Sequence, residues 1–299
     1  MKEKFAAVVG AVIVDIWGRS FGGLTHRDSN PGEVRVSLGG VGRNIAHNMR
    51  LLDMNVQLLT ALGGDAWARQ IEESCRETGI GLDLAIRLPG QRTSTYMSIS
   101  GPDGDMDLAV CDTDIARYIT PEVIERNLDI LNAAELVVFD GNLTPEAMDC
   151  LSLRCTAPLF VDPVSAAKAV KLVPFLDRIH TIKPNAMEAE ALTGESRPED
   201  AAGALIRAGV RRVFVSDGAK GMVAAQGADI IRVPCRPARL VNATGGGDAA
   251  MAALCRSFLD GLGITESARC ALAAGAVAVA CEQTINPALC RSLLFLKEK

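Results

Sequence analysis

The chain has 299 residues, 48% of them hydrophobic, and a formal net charge of −5. That length and apolar content can bury a sizeable core as one globular unit spanning 1–299. An acidic balance with no long basic run excludes a general affinity for nucleic acid or anionic membranes, so the expected partner is a small molecule. Nine cysteines, odd in number and without a CxxC pair, predict reduced thiols in the cytoplasm and no disulfide framework.

The first apolar run, Phe5 to Val14, ends at Asp15 without a small-residue cleavage site, and it predicts a buried first strand, not a leader peptide. Asp15 at its end presents a carboxylate that can accept two hydroxyl hydrogen bonds or cap a turn. Residues 16–38 break the regular pattern. Gly39-Gly40-Val41-Gly42-Arg43-Asn44 then opens a helix through Ile45, Met49 and Leu52. Glycine there permits close backbone approach to a ligand, and Asn44 can both donate and accept, as a sugar diol requires; a turn that uses glycine for geometry alone fits the same residues.

A strand at Val56 to Thr60 and a helix through Trp67 and Ile71 follow. Residues 92–112 read as a hairpin, with arms Thr95 to Ser100 and Met106 to Cys111 and a turn at Gly101-Pro102-Asp103-Gly104. Met97, Ile99, Met106, Leu108 and Val110 give it an apolar face that must be covered, by its own chain or by a second copy.

From Glu135 onward, short apolar runs alternate with helical patterns: Leu136 to Phe139, Leu159 to Val161, Ile179 to Ile182 and Val213 to Val215. That alternation predicts an α/β fold with a central, mostly parallel sheet between helices. Ligands of such sheets sit beyond the carboxyl ends of the strands, at Asp15, Asp140 to Asn142, Asp162, Lys183 to Asn185 and Ser216 to Gly218. Asn185 and Glu188 share a helical face and suit either water-mediated Mg²⁺ binding or a plain cap. Ser216-Asp217-Gly218 with Gly221 suits a nucleotide contact or a simple turn.

Thr244-Gly245-Gly246-Gly247-Asp248 precedes helical spacing at Met251, Leu254, Phe258 and Leu262. The glycines would present unpaired amides to an anion at a helix N-terminus. A carboxylate beside that anion needs a task, and taking a proton from an attacking hydroxyl is one. Cys270 to Cys281 is apolar but well short of the ~20 residues of a membrane span, so it predicts a core helix. His26, His47 and His180 lack metal-ligand spacing. Neither GxSxG nor a GxGxxG after the first strand is present, which disfavours acyl transfer and a nicotinamide oxidoreductase.

Taken in order, the Gly39 to Asn44 cluster, Asn185-Ala186-Met187-Glu188, Ser216-Asp217-Gly218 and Thr244 to Asp248 resemble the signature set of the ribokinase-like (PfkB) carbohydrate kinases over nearly the whole chain. The resemblance implies a ribokinase-like three-layer α/β/α fold, with a small β-sheet lid formed by about 16–38 and 92–112 in the same domain. It implies ATP and Mg²⁺, a sugar or nucleoside acceptor, and a homodimer through the lid. Asp248 becomes the general base, and Gly245, Gly246 and Gly247 the anion hole.

Asn185, Ser216, Gly218, Gly221, Thr244, Gly245 and Gly247 are the implied nucleotide residues, with Glu188 and Asn185 holding Mg²⁺ through water. Closer local matches, such as Asp28 to Gly32 and Phe160 to Ser165, resemble members that phosphorylate a nucleoside 5′-hydroxyl. By that likeness Asp15, Gly39, Gly40 and Asn44 hold the ribose, with Asn142 on the same acceptor side. Ser29, Asn30, Thr95, Tyr96 and Asp112 would face the base.

Two residues depart from the family pattern. Gly246 replaces the usual alanine and would add backbone freedom to the anion hole. Asn242 replaces an aspartate associated with K⁺ activation, which leaves a K⁺ requirement open. The rival expectations are a kinase for another acceptor and a catalytically silent nucleoside binder.

Overall fold

The computed structural model describes residues 4–235 and 238–295. Its main sheet has nine strands in the spatial order Asp229–Val233, Met222–Gln226, Arg212–Ser216, Thr181–Ile182, Leu159–Asp162, Val137–Asp140, Ala6–Val9, Val56–Leu59 and Ile80–Gly81. The run from Arg212–Ser216 to Ile80–Gly81 is parallel, and the first two strands in that order are joined antiparallel. Central strands are apolar throughout because both faces are covered. Ala7, Val9, Val137, Phe139 and Val161 point to one layer with Met148, Leu151, Ala189 and Leu205. Ala6, Val8, Val138 and Phe160 point to the other with Ile45, Met49, Ile71, Met251 and Ala274. Helices thus sandwich the sheet, giving three α/β/α layers.

The apolar run from Phe5 to Val14 is not one strand. Ala6–Val9 belongs to the main sheet, and after a break at Gly10 the chain re-enters strand geometry as Ile13–Ser20 in a second sheet. Close approach explains the break: a Cβ on Gly10 would lie 2.4 Å from Asp140 Oδ2. The antiparallel pair Met222–Gln226 and Asp229–Val233 was not anticipated, because Met-Val-Ala-Ala-Gln carries little β-branched signal.

The second sheet has the order Gly32–Gly39, Ile13–Ser20, Thr95–Ser100, Met106–Asp112, so residues 16–38 and the hairpin build one lid. Pairing sets Ser37, Asp15, Tyr96 and Cys111 in one row and Val36, Ile16, Met97 and Val110 in the next. Side chains of successive rows leave on opposite faces. One face therefore carries Asp15, Trp17, Arg35 and Tyr96, and it turns toward the body, where Arg35 comes within 3.8 Å of Glu282. The other carries Val34, Val36, Met97, Ile99, Leu108 and Val110, all exposed. Met106 leaves this apolar set: a bulge between Ile99 and Ser100 shifts the register, and the Met106 sulfur lies 3.3 Å from the Tyr96 hydroxyl on the inward face.

Candidate active site

The glycine run occupies the start of the helix Gly246–Leu259. Gly245 is left-handed (φ 84°), and a Cβ there would lie 2.2 Å from the Thr284 carbonyl oxygen, so glycine is required. No side chain caps this helix, which leaves its first amides to an anion and adds the favourable end of the dipole. Gly246 does not use the extra backbone freedom expected of it. It is helical, and its missing methyl makes room for Val279, whose Cγ1 would be 3.0 Å from a Cβ at 246.

Asp248, in the first turn, is only 9% exposed, and its Oδ2 accepts a 2.9 Å hydrogen bond from Asn44 Nδ2. Burial pushes its carboxyl up to about 7; Asp162 and Asp140 push the same way, while Asn44 and Lys183 restrain the rise. A carboxylate half-ionised near neutral pH is matched to taking a proton from an alcohol. The Oδ1 of Asn44 is buried and unpartnered, an acceptor held in reserve for a ligand. Asn44 owes its place to Gly40, whose φ of 91° turns the lid strand into the helix Val41–Leu51.

Asp15 stands inside the lid strand, with Oδ2 resting where a Cβ on Gly39 would be, 2.2 Å away. Burial lifts its carboxyl to about 6. Asp15, Gly39, Gly40, Asn44 and Asp248 are thus linked by direct contact or chain continuity.

Three residues beneath the cradle were seen in the sequence only as strand ends. Asp140 and Asp162 are paired neighbours on adjacent parallel strands. Asp140 accepts from the Ala11 and Asn142 amides. Asp162 accepts from the Val164 amide and forms a 3.1 Å ion pair with buried Lys183. Burial disfavours the Lys183 ammonium, but Asp162, Glu188 and Asp248 outweigh it and hold the proton on. Its Nζ would be 3.3 Å from a Cβ on Gly247, so a fixed positive charge lies under the anion cradle. The legible signal was the endings Val-Val-Phe-Asp and Leu-Phe-Val-Asp, buried strands that each finish on an acid. Asn142 adjoins them; its Oδ1 accepts from Lys168 Nζ at 2.6 Å, and its Nδ2 is buried without a partner.

Further along the same carboxyl edge of the sheet, Asn185 bridges Ser216 across neighbouring strand ends, with Gly218 and Gly221 in the turn that follows. Asn185 and Glu188 form a reciprocal capping box: the Glu188 amide donates to Asn185 Oδ1, and the Asn185 amide donates to Glu188 Oε2. The plain cap is therefore present, and it occupies the Asn185 oxygen. Thr244 lies at the open rim, its amide donating to Asn242 Oδ1.

The five lid residues expected at the base do not converge. Tyr96 shares the inward face with Asp15, but Thr95 and Asp112 stand in the adjacent row, and Asp112 is paired with Arg92 at 2.9 Å. Asn30 is spent on its own loop, bonding the Thr25 amide and carbonyl, and Ser29 is exposed beside it. Asn30 lines a cavity of about 560 Å³ with Met97, Ile99 and Leu108, on the outward side of the lid.

The pfkB family carbohydrate kinase model matches residues 3–289. The chain is 36% identical to pseudouridine kinase of Escherichia coli K12 over 97% of this chain and 95% of that one. It is also 36% identical to YeiI, a sugar kinase of the same strain with no substrate in its name, over 96% of this chain and 82% of that one. A carbohydrate kinase from Agrobacterium tumefaciens superposes with a TM-score of 0.87 at 28% identity, covering 98% of this chain and 96% of that one. With a buried carboxyl group next to an uncapped glycine run on this fold, the chain belongs to the pfkB carbohydrate kinases, ATP-dependent enzymes that transfer a phosphoryl group to an alcohol.

Proposed function

We propose that this kinase phosphorylates the 5′-hydroxyl of a nucleoside, with pseudouridine as its acceptor, and that Asp248 is the general base. The observation that carries the reading is the Asn44–Asp248 pair, buried beside the uncapped amides of Gly245 to Gly247. Asp15 and Asn44 accept from the ribose hydroxyls, fixing the sugar so that its primary alcohol meets Asp248. Asp248 takes the proton. The glycine amides and the Lys183 ammonium meet the charge of the migrating phosphoryl group without having to reorganise.

Among the described residues, no His, Cys, Asp or Glu cluster forms a protein cage for a metal. The nearby donors are carboxylates, with Glu188 holding one oxygen outside the cap, and this set fits an ion that keeps most of its waters, as Mg²⁺ does. Bound Mg²⁺ would neutralise phosphate charge, held through water by Glu188.

The 36% identity to a pseudouridine kinase over nearly both full lengths supports the acceptor, and the equal identity to the sugar kinase YeiI makes another sugar the second reading. A coupled ADP-release assay across pseudouridine, uridine, adenosine, ribose and fructose 6-phosphate decides between them. The highest kcat/KM is expected with pseudouridine. A clear preference for another acceptor would reassign the substrate, and silence across the panel in a protein that binds ATP would overturn the enzyme reading of this chain.

The reading treats 1–299 as one unit that pairs through its lids. Val34, Val36, Met97, Ile99, Leu108 and Val110 form a contiguous apolar face that a soluble monomer would leave wet. Val36 and Val110 flank its centre, and placing a lysine at each should convert a dimer to a monomer in sedimentation velocity. A wild-type monomer at micromolar concentration would contradict the pairing.

A further inference from the structure

The glycine cradle is walled by two loops, 241–245 and 280–284, and one side chain ties them. Asn242 Nδ2 donates to the Glu282 carbonyl oxygen at 3.0 Å, and Asn242 Oδ1 accepts from the Thr244 amide at 2.9 Å. Backbone bonds from Val241 and Asn242 to the Val279 oxygen fix the same loop from below. Immediately after, Gly245 packs against the Thr284 carbonyl oxygen. The position of the cradle's first amides is therefore set by how these loops meet.

The two ends of the Asn242 amide are not interchangeable. Flipping it would set oxygen against the Glu282 oxygen and N–H against the Thr244 N–H, so its partners fix the orientation. A carboxylate of the same size could keep the Thr244 bond, but it would set its other oxygen against the Glu282 oxygen with no hydrogen between them. Such a pair of oxygens needs a cation to bridge it. Here an N–H already lies between the two loops, so the residues present do not fit a monovalent cation.

We propose that Asn242 is a positioning residue that joins the two loops by a hydrogen bond where a carboxylate would need a monovalent cation, so that this kinase is independent of K⁺. The proposal rests on the kinase reading for its rate measurement but not for its thermal measurement.

Two quantities are to be measured in KCl and in tetramethylammonium chloride at equal ionic strength, for the wild type and for Asn242→Asp. The first is kcat with the best acceptor, and the second is the thermal midpoint without substrates. The wild type should show the same rate and midpoint in both salts. Asn242→Asp should lose about tenfold in kcat in tetramethylammonium, as expected for an unmatched polar contact, and should regain it with K⁺. Its midpoint should rise with K⁺, a gain that a merely structural lesion would not show. Asn242→Ala should be impaired equally in both salts. A wild-type rate or midpoint that climbs severalfold, or by several degrees, with K⁺ would overturn the proposal. So would an Asn242→Asp protein indifferent to the salt. If no acceptor is turned over, the kinase reading fails, while the thermal midpoints still decide the role of Asn242.

Discussion

Asp248→Asn should lose roughly 10³-fold in turnover, the worth of a positioned general base, while its fold becomes more stable than the wild type. Both effects have one origin. The folded protein holds this carboxyl at about 7 against an ordinary value of 3.8, chiefly through burial, so ionising it works against folding as pH rises through that window. Below pH 3.8 both folded and unfolded states carry the proton, and Asp248 costs nothing by this route. Above about 7 the penalty is complete. The stability gain of the asparagine variant should accordingly be small at pH 4 and largest at pH 7 to 8, read by chemical denaturation across that range. An inactive variant with no gain in stability would mean that the carboxylate is not held at an unfavourable site. An active one would remove Asp248 from its role.

Lys183→Met should be the most damaging substitution beneath the site. Lys183 faces Asp162 in an ion pair and lies within the field of Glu188 and Asp248, so removing it leaves buried acids without a counter-charge. Breaking one partner of a buried pair costs roughly 3 kcal/mol or more, since the remaining charge stays desolvated. Methionine preserves most of the side-chain volume, so the loss should be electrostatic and not a cavity effect. The substitution also removes one of the two influences that restrain the rise of the Asp248 pKa, so the pH at which activity appears should move upward. Urea unfolding and a pH–rate profile of the same protein check both parts. Unchanged stability would mean that the acids are adequately solvated without Lys183.

The parallel sheet was legible because buried strands such as Val137–Asp140 and Leu159–Asp162 are short apolar runs with polar ends. The hairpin was legible from its alternation and its Gly-Pro-Asp-Gly turn. What failed has physical reasons. A continuous apolar stretch cannot reveal that Ala6–Val9 and Ile13–Ser20 serve different sheets, because Val14 is as buried as Val8. One extra residue at the Ile99/Ser100 bulge reversed the face of Met106, and such slips leave no mark in composition.

In the site, Asp248, Asn44, Gly40 and Gly245 stood out because glycine clusters at helix starts advertise backbone approach. Lys183, Asp162 and Asp140 lay at recognised strand ends, but their coupling depends on strand order, which brings residues far apart in sequence into register. The lid residues proved hardest to place, since which row faces inward is decided by pairing and not by residue type. Thr95 and Tyr96 are adjacent in the chain and lie on opposite faces.

If Asp248, ionising near neutrality, removes the proton from the acceptor alcohol, the pH dependence of kcat/KM carries its titration. For the wild type, kcat/KM should rise with unit slope on the acid side and level off above pH of about 7, a limb that reports the free enzyme's base. The residual activity of Asp248→Asn should lack that limb. A wild-type profile flat from pH 5 to 8, or the same limb persisting in Asp248→Asn, would mean that another group takes the proton.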